Sequence, residues 1–193
     1  MSKDEKKLKI FTEAFKLFKK NGTESTSIQE IVDKAGVAKG TFYLYFKDKY
    51  DLQEQLITKK SNELFSNALE KLQKEKINKF DDQIIFIIDY ILDYLIKNKA
   101  LLKFISKNLS FGLYNDRIPE IIDEGKFGVK ELFMKGIEEN NIKLKNPEIT
   151  LYMIIELVSS TCLTTITKNK PISIEEFKPY LYNTIRKMIN EKN

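Results

Sequence analysis

The stretch from Thr26 to Leu52 limits what this chain can fold into more than any other, because it punctuates two short helices with a one-residue turn. Thr26 or Ser27 offers a hydroxyl to the free N–H groups of a helix's first turn. Ile28, Ile31, Val32 and Ala35 follow at helical spacing, so that helix buries one face. Gly36 ends it, since glycine enters the left-handed backbone region without a Cβ clash. Val37 then plugs the core under the turn, and a second short helix is predicted from about Ala38 to Tyr45. Two short helices joined by a tight glycine turn form a helix-turn-helix. In such a unit the second helix lies in the DNA major groove with its N-terminal residues at the base edges.

The residues at that position suit the task. Ala38, Gly40 and Thr41 are small enough for the backbone to approach DNA closely, and Lys39 adds a positive charge. Tyr43 and Tyr45 point in different directions from the helix, and both hydroxyls reach towards the phosphates on a groove's rims. Phe42 and Phe46 are four apart and share the buried side. The same spacing, taken alone, also describes an ordinary helical hairpin with a surface lysine and two half-buried tyrosines.

The complete string separates the two readings. Thr26-Ser27, Ile31, Ala35-Gly36-Val37-Ala38-Lys39-Gly40-Thr41-Phe42-Tyr43, Tyr45-Phe46, Lys49 and Leu52 closely resemble the DNA-binding domain of the tetracycline-repressor (TetR) family of bacterial regulators. With the amphipathic helix before it, the match covers roughly the first 55 residues. Two positions depart from the family pattern. Ala38 stands where members often carry serine, which removes a possible phosphate hydrogen bond, and Tyr45 stands where many carry histidine. The resemblance implies an all-helical chain, with a three-helix DNA-binding domain over residues 1–47 and a larger ligand-binding and dimerisation domain over 48–193. It implies double-stranded operator DNA as partner, an unidentified small-molecule effector, and a homodimer formed through the last two helices. It marks Ser27, Gln29, Ala38, Lys39, Gly40, Thr41, Tyr43, Tyr45 and Lys49 as the DNA-binding set. Within that set Gln29, Lys39 and Thr41 are the candidate base readers, while Lys39, Lys49, Tyr43 and Tyr45 position the protein on phosphates.

Composition narrows the classes further. The chain has no histidine and one cysteine, Cys162. That leaves out histidine-dependent triads, histidine-ligated metals, internal disulfides and multi-cysteine zinc sites. No catalytic residue, metal or cofactor is expected. The first 50 residues hold eleven lysines against seven acidic residues, so they carry +4 of the chain's net +5. A basic excess on the proposed reader is the electrostatic footprint of a nucleic-acid-binding domain. The N-terminus lacks the apolar stretch of a signal peptide. The longest apolar run, Ile84 to Ile96, is interrupted by Asp89 and Asp93 and is too short to span a bilayer. These features fit a cytoplasmic protein without a membrane partner.

Helical periodicity continues along the chain. A first helix over about Lys3 to Lys20 carries a stripe of Leu8, Phe11, Phe15 and Phe18, and Asn21-Gly22 stops it. Lys3, Lys6, Lys7 and Lys9 give its start a positive face. A long helix capped by Asp48 runs to about Gln73, with Leu52, Leu56, Phe65, Leu69 and Leu72 on one side. The next, about Lys79 to Lys97, is apolar nearly all round and is expected at the centre of the second domain. Asp89 and Asp93 on it are either a solvated edge or a paired-carboxylate site for a cation. Further helices are predicted over Ala100 to Leu113, then to about Asn141, then from Asn146-Pro147 to about Lys168. The last follows a capping box, Ser173-x-x-Glu176, and meets an awkward Pro179, where the helix kinks or begins its regular part.

The expected function is a ligand-responsive DNA-binding transcriptional regulator, a repressor released from a pseudo-palindromic operator. Phe86, Tyr90, Phe104, Phe111, Phe127 and Tyr152 are the candidate pocket aromatics for the effector. The rivals are a helical interaction protein that no longer binds DNA, and an enzyme built on the C-terminal helices.

Overall fold

The computed structural model describes residues 2–105 and 129–190. Among them there is no strand, and the helices are α1 (Lys3–Asn21), α2 (Ile28–Ala35), α3 (Lys39–Tyr43), α4 (Lys49–Leu72), α5 (Phe80–Lys97), α6 (Lys99–Ile105), α7 (Val129–Glu139), α8 (Pro147–Lys168) and α9 (Ile174–Asn190). The chain forms two compact units, residues 1–59 and 60–193. The division falls inside α4, whereas the sequence placed the boundary at the start of that helix. The first turns of α4 belong to the N-terminal unit for a packing reason. Leu52, Leu56 and Ile57 are buried there, and the Lys59 ammonium lies 5.4 Å from the centre of the Phe11 ring.

In the N-terminal unit, Ser2 and Glu5 close a capping box at the start of α1. The buried face of α1 is centred on Ile10, Ala14 and Leu17 with Phe11 and Phe18. The expected stripe was rotated from this: Leu8 is 54% exposed and Phe15 only half-buried. Phe11, Phe42 and Phe46 share one core, with ring centroids 5.2 Å apart for Phe11–Phe46 and 5.4 Å for Phe42–Phe46. Ser27 is the N-cap of α2, its hydroxyl accepting from the Glu30 N–H at 3.1 Å. The Thr26 hydroxyl, the alternative cap, instead donates to the Gly22 carbonyl at 2.8 Å.

The C-terminal unit is built round α5 and α8. On α5, Ile84, Ile85, Ile87, Ile88, Leu92 and Leu95 are buried, as its all-round apolar sequence required. Its remaining side carries an acidic edge that pairs with α9. Asp93 and Asp89 hold the Lys178 ammonium, Asp89 also accepts from the Tyr182 hydroxyl, Asp82 holds Arg186 at 2.8 Å, and Asp81 accepts from Asn190 at 3.1 Å. Lys178, Tyr182, Arg186 and Asn190 recur every four residues, so α9 lays one polar row along α5 in antiparallel order. The cation that Asp89 and Asp93 bind is therefore the chain's own lysine.

Burial pushes the Asp89 carboxyl up, but hydrogen bonds from Lys178 and Tyr182 outweigh it and hold the group below its ordinary 3.8. Burial pushes Lys178 down, and its bonds to Asp89 and Asp93 outweigh that and hold it above 10.5. Burial also lifts the Cys162 thiol to about 11, so it stays protonated at neutral pH.

The α9 capping box forms as expected, with the Ser173 N–H donating to the Glu176 carboxylate at 3.1 Å and the Glu176 N–H to the Ser173 hydroxyl at 3.3 Å. The helix begins there, and Pro179 lies inside it. Asn146 caps α8, accepting from the Ile149 N–H at 3.0 Å. By length and composition α8 could cross a membrane, with mean hydropathy 1.6 over its most apolar 18 residues. The sequence reading missed this because serines, threonines and a cysteine break up the apolar letters of α8 without adding charge. In the fold α8 packs against α5, α6, α7 and α9. On α6, Leu101, Phe104 and Ile105 are buried, while the predicted continuation to Leu113 lies outside the described residues.

α7 crosses α5 at Gly136, where the Phe80 ring lies so close that a Cβ would sit 2.0 Å from its edge. Phe80 is itself packed on Phe133, with ring centroids 5.6 Å apart. Gly136→Ala is therefore expected to destabilise the protein by about 1–3 kcal/mol, although alanine is the better helix former. Urea unfolding of the two proteins checks the sign. Lys178→Met should cost about 1–2 kcal/mol, discounted because the two carboxylates are half-exposed. Asp89 is depressed, so its share is present above the unfolded carboxylate value and is lost as pH falls through the folded one. Lys178 is raised, so its share is complete below the unfolded lysine value and is lost as pH climbs through the folded one. The difference between the two proteins in urea should be flat across neutral pH and shrink at both extremes.

Candidate nucleic-acid interface

The turn between α2 and α3 has the geometry the sequence requires. Gly36 sits at φ 65°, ψ 38°, in the left-handed region, and its N–H returns to the carbonyls of Asp33 and Val32. The Val37 N–H bonds to the Val32 carbonyl at 3.1 Å. α3 starts at Lys39 after an extended Ala38, and Ala38 supplies no side-chain cap. Ala38, Lys39, Gly40 and Tyr43 are exposed, and Thr41 is half-buried. Phe42 faces inward and is fully buried. The outer face of α3 is thus small and cationic at its start and aromatic at its end. Leu44, which the sequence reading passed over, is 74% exposed just beyond it. Its neighbours Phe42 and Phe46 took up the helical spacing that would have marked it as core.

The remaining expected contacts are placed differently. Ser27 spends its hydroxyl on the cap of α2. Gln29 is exposed, and its amide donates to Asp33 Oδ1 at 2.8 Å, one turn on. The Tyr45 hydroxyl donates to the Lys3 carbonyl at 2.9 Å and ties the end of the motif to the start of α1. Lys49 is half-buried, and its ammonium donates to the carbonyls of Glu24 (2.9 Å) and Thr26 (3.2 Å). Beside it the Tyr50 hydroxyl donates to Glu24 Oε2 at 2.9 Å, and the bond to that carboxylate raises the phenol's pKa. Asp48 caps α4 through the N–H groups of Tyr50 and Asp51, while Asp51 accepts from the Lys47 N–H at 2.8 Å. The start of α4 is therefore clasped to the loop that leads into α2. A lysine ammonium has three donors, so Lys49 keeps one beyond those two carbonyls.

In the C-terminal unit a cavity of about 90 Å³ lies among α4, α5, α7 and α8. All its described lining residues are isoleucine, leucine, valine or phenylalanine, including Phe65, Ile87, Ile91, Leu132, Ile154 and Val158. Phe86, Tyr90, Phe104 and Tyr152 are not on its wall. Tyr152 is 49% exposed, Phe86 is half-buried, and Phe104 is buried core of α6. Tyr90 packs instead on the neighbouring cluster of Phe65, Ala68 and Ile87. Phe111 and Phe127 lie outside the described residues. The described wall is mostly aliphatic, and its two aromatics are Phe65 and Phe133. The one-turn recurrence of Ile84, Ile87, Ile88 and Ile91 on α5 was the available sign of this.

The sequence model of bacterial regulatory proteins of the tetR family matches residues 10–56. An HTH-type transcriptional regulator of Staphylococcus aureus (strain USA300) is 27% identical over 186 residues, covering 95% of each chain. Residues 10–56 form a DNA-binding domain of the TetR family. Solved structures share the fold. A TetR-family transcriptional regulator described as putative, from Syntrophomonas wolfei, superposes with a TM-score of 0.67 at 20% identity, covering 97% of this chain and 96% of that one. The transcriptional regulator FadR from Bacillus subtilis, solved with stearoyl-CoA, superposes with a TM-score of 0.61 at 18% identity, covering 97% and 100%.

The lysine at the start of α4 is bonded to the loop through two of its three donors. Lys49→Ala should lower thermal stability by about 1–2 kcal/mol, because two carbonyls lose a charged donor. Lys39→Ala removes an exposed ammonium that bonds to none of the described residues, and should leave the melting temperature within error. Differential scanning calorimetry separates the two.

Proposed function

We propose that the chain is a cytoplasmic, ligand-responsive transcriptional repressor that holds a pseudo-palindromic operator as a homodimer and leaves it when a small molecule binds. The observation that carries this is α3, with its small, cationic start exposed after a left-handed glycine turn. One such helix makes few base contacts, so two copies on two half-sites are needed for useful selectivity. The last two helices are the proposed dimer surface. Ile149, Tyr152 and Met153 form one exposed face of α8, and Tyr180 is 70% exposed on α9.

Lys39, Lys49, Tyr43 and Tyr45 are assigned to phosphates, and Gln29, Lys39 and Thr41 to base edges. Ala38 and Gly40 supply close approach, and Ser27 holds the start of α2. For Tyr45 and Lys49 the bonds within the chain orient the side chain while leaving acceptor or donor capacity for a phosphate. The regulatory step is a coupling between the cavity and the reader. A hundredfold loss of DNA affinity needs about 2.7 kcal/mol of differential ligand binding, and DNA must weaken the ligand by the same factor. FadR from Bacillus subtilis, which shares the fold, was solved in complex with stearoyl-CoA, and that supports a ligand-responsive reading.

A duplex enriched by the purified protein from a random pool provides the test. Lys49→Ala should weaken binding to that duplex and to unselected DNA alike, by about tenfold, and reduce the salt slope by about one. Thr41→Val should change the order of preference among half-site variants by about 1–3 kcal/mol. Failure to enrich any duplex, or equal effects of the two substitutions on selected and unselected DNA, would remove the basis for this assignment.

A further inference from the structure

We propose that the effector is a single-chain amphiphile, with an unbranched aliphatic tail in the apolar cavity and a carboxylate head at the adjoining cleft, beside Lys135 and Gln83. This rests on the regulator function proposed above and names the ligand class for it. Two hollows of different character lie side by side in the C-terminal unit. The first is the 90 Å³ cavity, whose described wall has no hydrogen-bonding side chain. A ligand group carrying a donor or acceptor would lose its water there without replacement, so that part of the ligand is hydrocarbon.

The second hollow, about 130 Å³, is lined by Leu72, Phe80, Gln83, Lys135, Gly136 and Glu139 together with Ile84, Ile87 and Leu132. Those last three also line the first cavity. The partition between the hollows is therefore made of side chains, and rotamer changes at three positions would join them into one elongated site, apolar at one end and polar at the other. At the polar end Gln83 donates one amide hydrogen to the Ile77 carbonyl at 2.8 Å and keeps a second. Lys135 meets Glu139 at 3.6 Å with both side chains more than half exposed, so an incoming carboxylate reaches its ammonium from solvent. α5 begins at Phe80 with no side-chain cap, and the partial positive charge of a helix start adds to the preference for an anion. Asp81 and Asp82 in that first turn are held by Arg186 and Asn190.

The experiment is calorimetric titration of the full chain with hexanoate, octanoate, decanoate and dodecanoate, each below its micellar concentration. Saturable binding of one acid per chain is expected, with Kd falling about fourfold for each added methylene until the site is full. The methyl ester and the amine of the ten-carbon chain should bind about tenfold more weakly than decanoate. Lys135→Ala should abolish the preference for acid over ester and keep the chain-length slope. Val158→Phe, which fills the apolar end, should flatten the slope. An affinity independent of chain length, a preference for the amine, uptake of many molecules per chain, or no binding at all would each overturn the inference. DNA binding is measured on the same samples. Operator binding without acid binding defeats the amphiphile and leaves the regulator standing. Saturable, length-dependent acid binding by a chain that binds no DNA supports the site and defeats the regulator.

Discussion

The left-handed backbone at Gly36 is the constraint on which the reading unit depends. No heavy atom lies within 4 Å of where a Cβ would stand at this residue, so the requirement for glycine is one of backbone conformation and not of space. An L-residue would pay about 1–2 kcal/mol to hold that φ and ψ. The return bonds from the Gly36 and Val37 N–H groups lock the angle between α2 and α3. Phe42 can then drop into the core against Phe11 and Phe46, and only the opposite face of α3 is left for a partner. Turn, core and exposed face follow from one another.

A second tier of contacts fixes that unit to α4. Lys49 and Tyr50 hold the α1–α2 loop, and Tyr45 holds the first residue of α1. Two of these, Lys49 and Tyr45, belong to the expected DNA-binding set and thus have structural duties as well. The two roles are compatible, because an ammonium or a phenol has more hydrogen-bonding capacity than a single carbonyl consumes. In the proposed function these side chains are oriented before DNA arrives, which reduces the ordering cost of binding.

The helix-turn-helix could be read from the sequence because its determinants are local: a cap at Ser27, a glycine at Gly36 and an i, i+4 phenylalanine pair. The starts of α8 and α9 were equally readable from the capping signals Asn146-Pro147 and Ser173-x-x-Glu176. What could not be read were relations between distant segments. The duty of Lys49 depends on carbonyls 23 and 25 residues away, and the pairing of Asp89 and Asp93 with Lys178 spans 85 residues or more. The face of α1 was misplaced by part of a turn, because its leucines and phenylalanines surround the helix and only packing chooses among them. The candidate pocket residues were sought among aromatics, whereas the described wall of the cavity is mostly isoleucine, leucine and valine, since a cavity is a property of how helices cross and not of any one helix's letters.

The central claim is that α3 reads DNA as one of a pair. Fluorescence anisotropy of labelled duplex from the region upstream of the chain's own gene, compared with scrambled duplex across a salt series, tests it most directly. Tighter, saturable binding to the upstream duplex at two chains per site, with affinity falling steeply as salt rises, is the predicted result. Equal, weak binding to both duplexes, with no stoichiometric end point at any salt concentration, would contradict it.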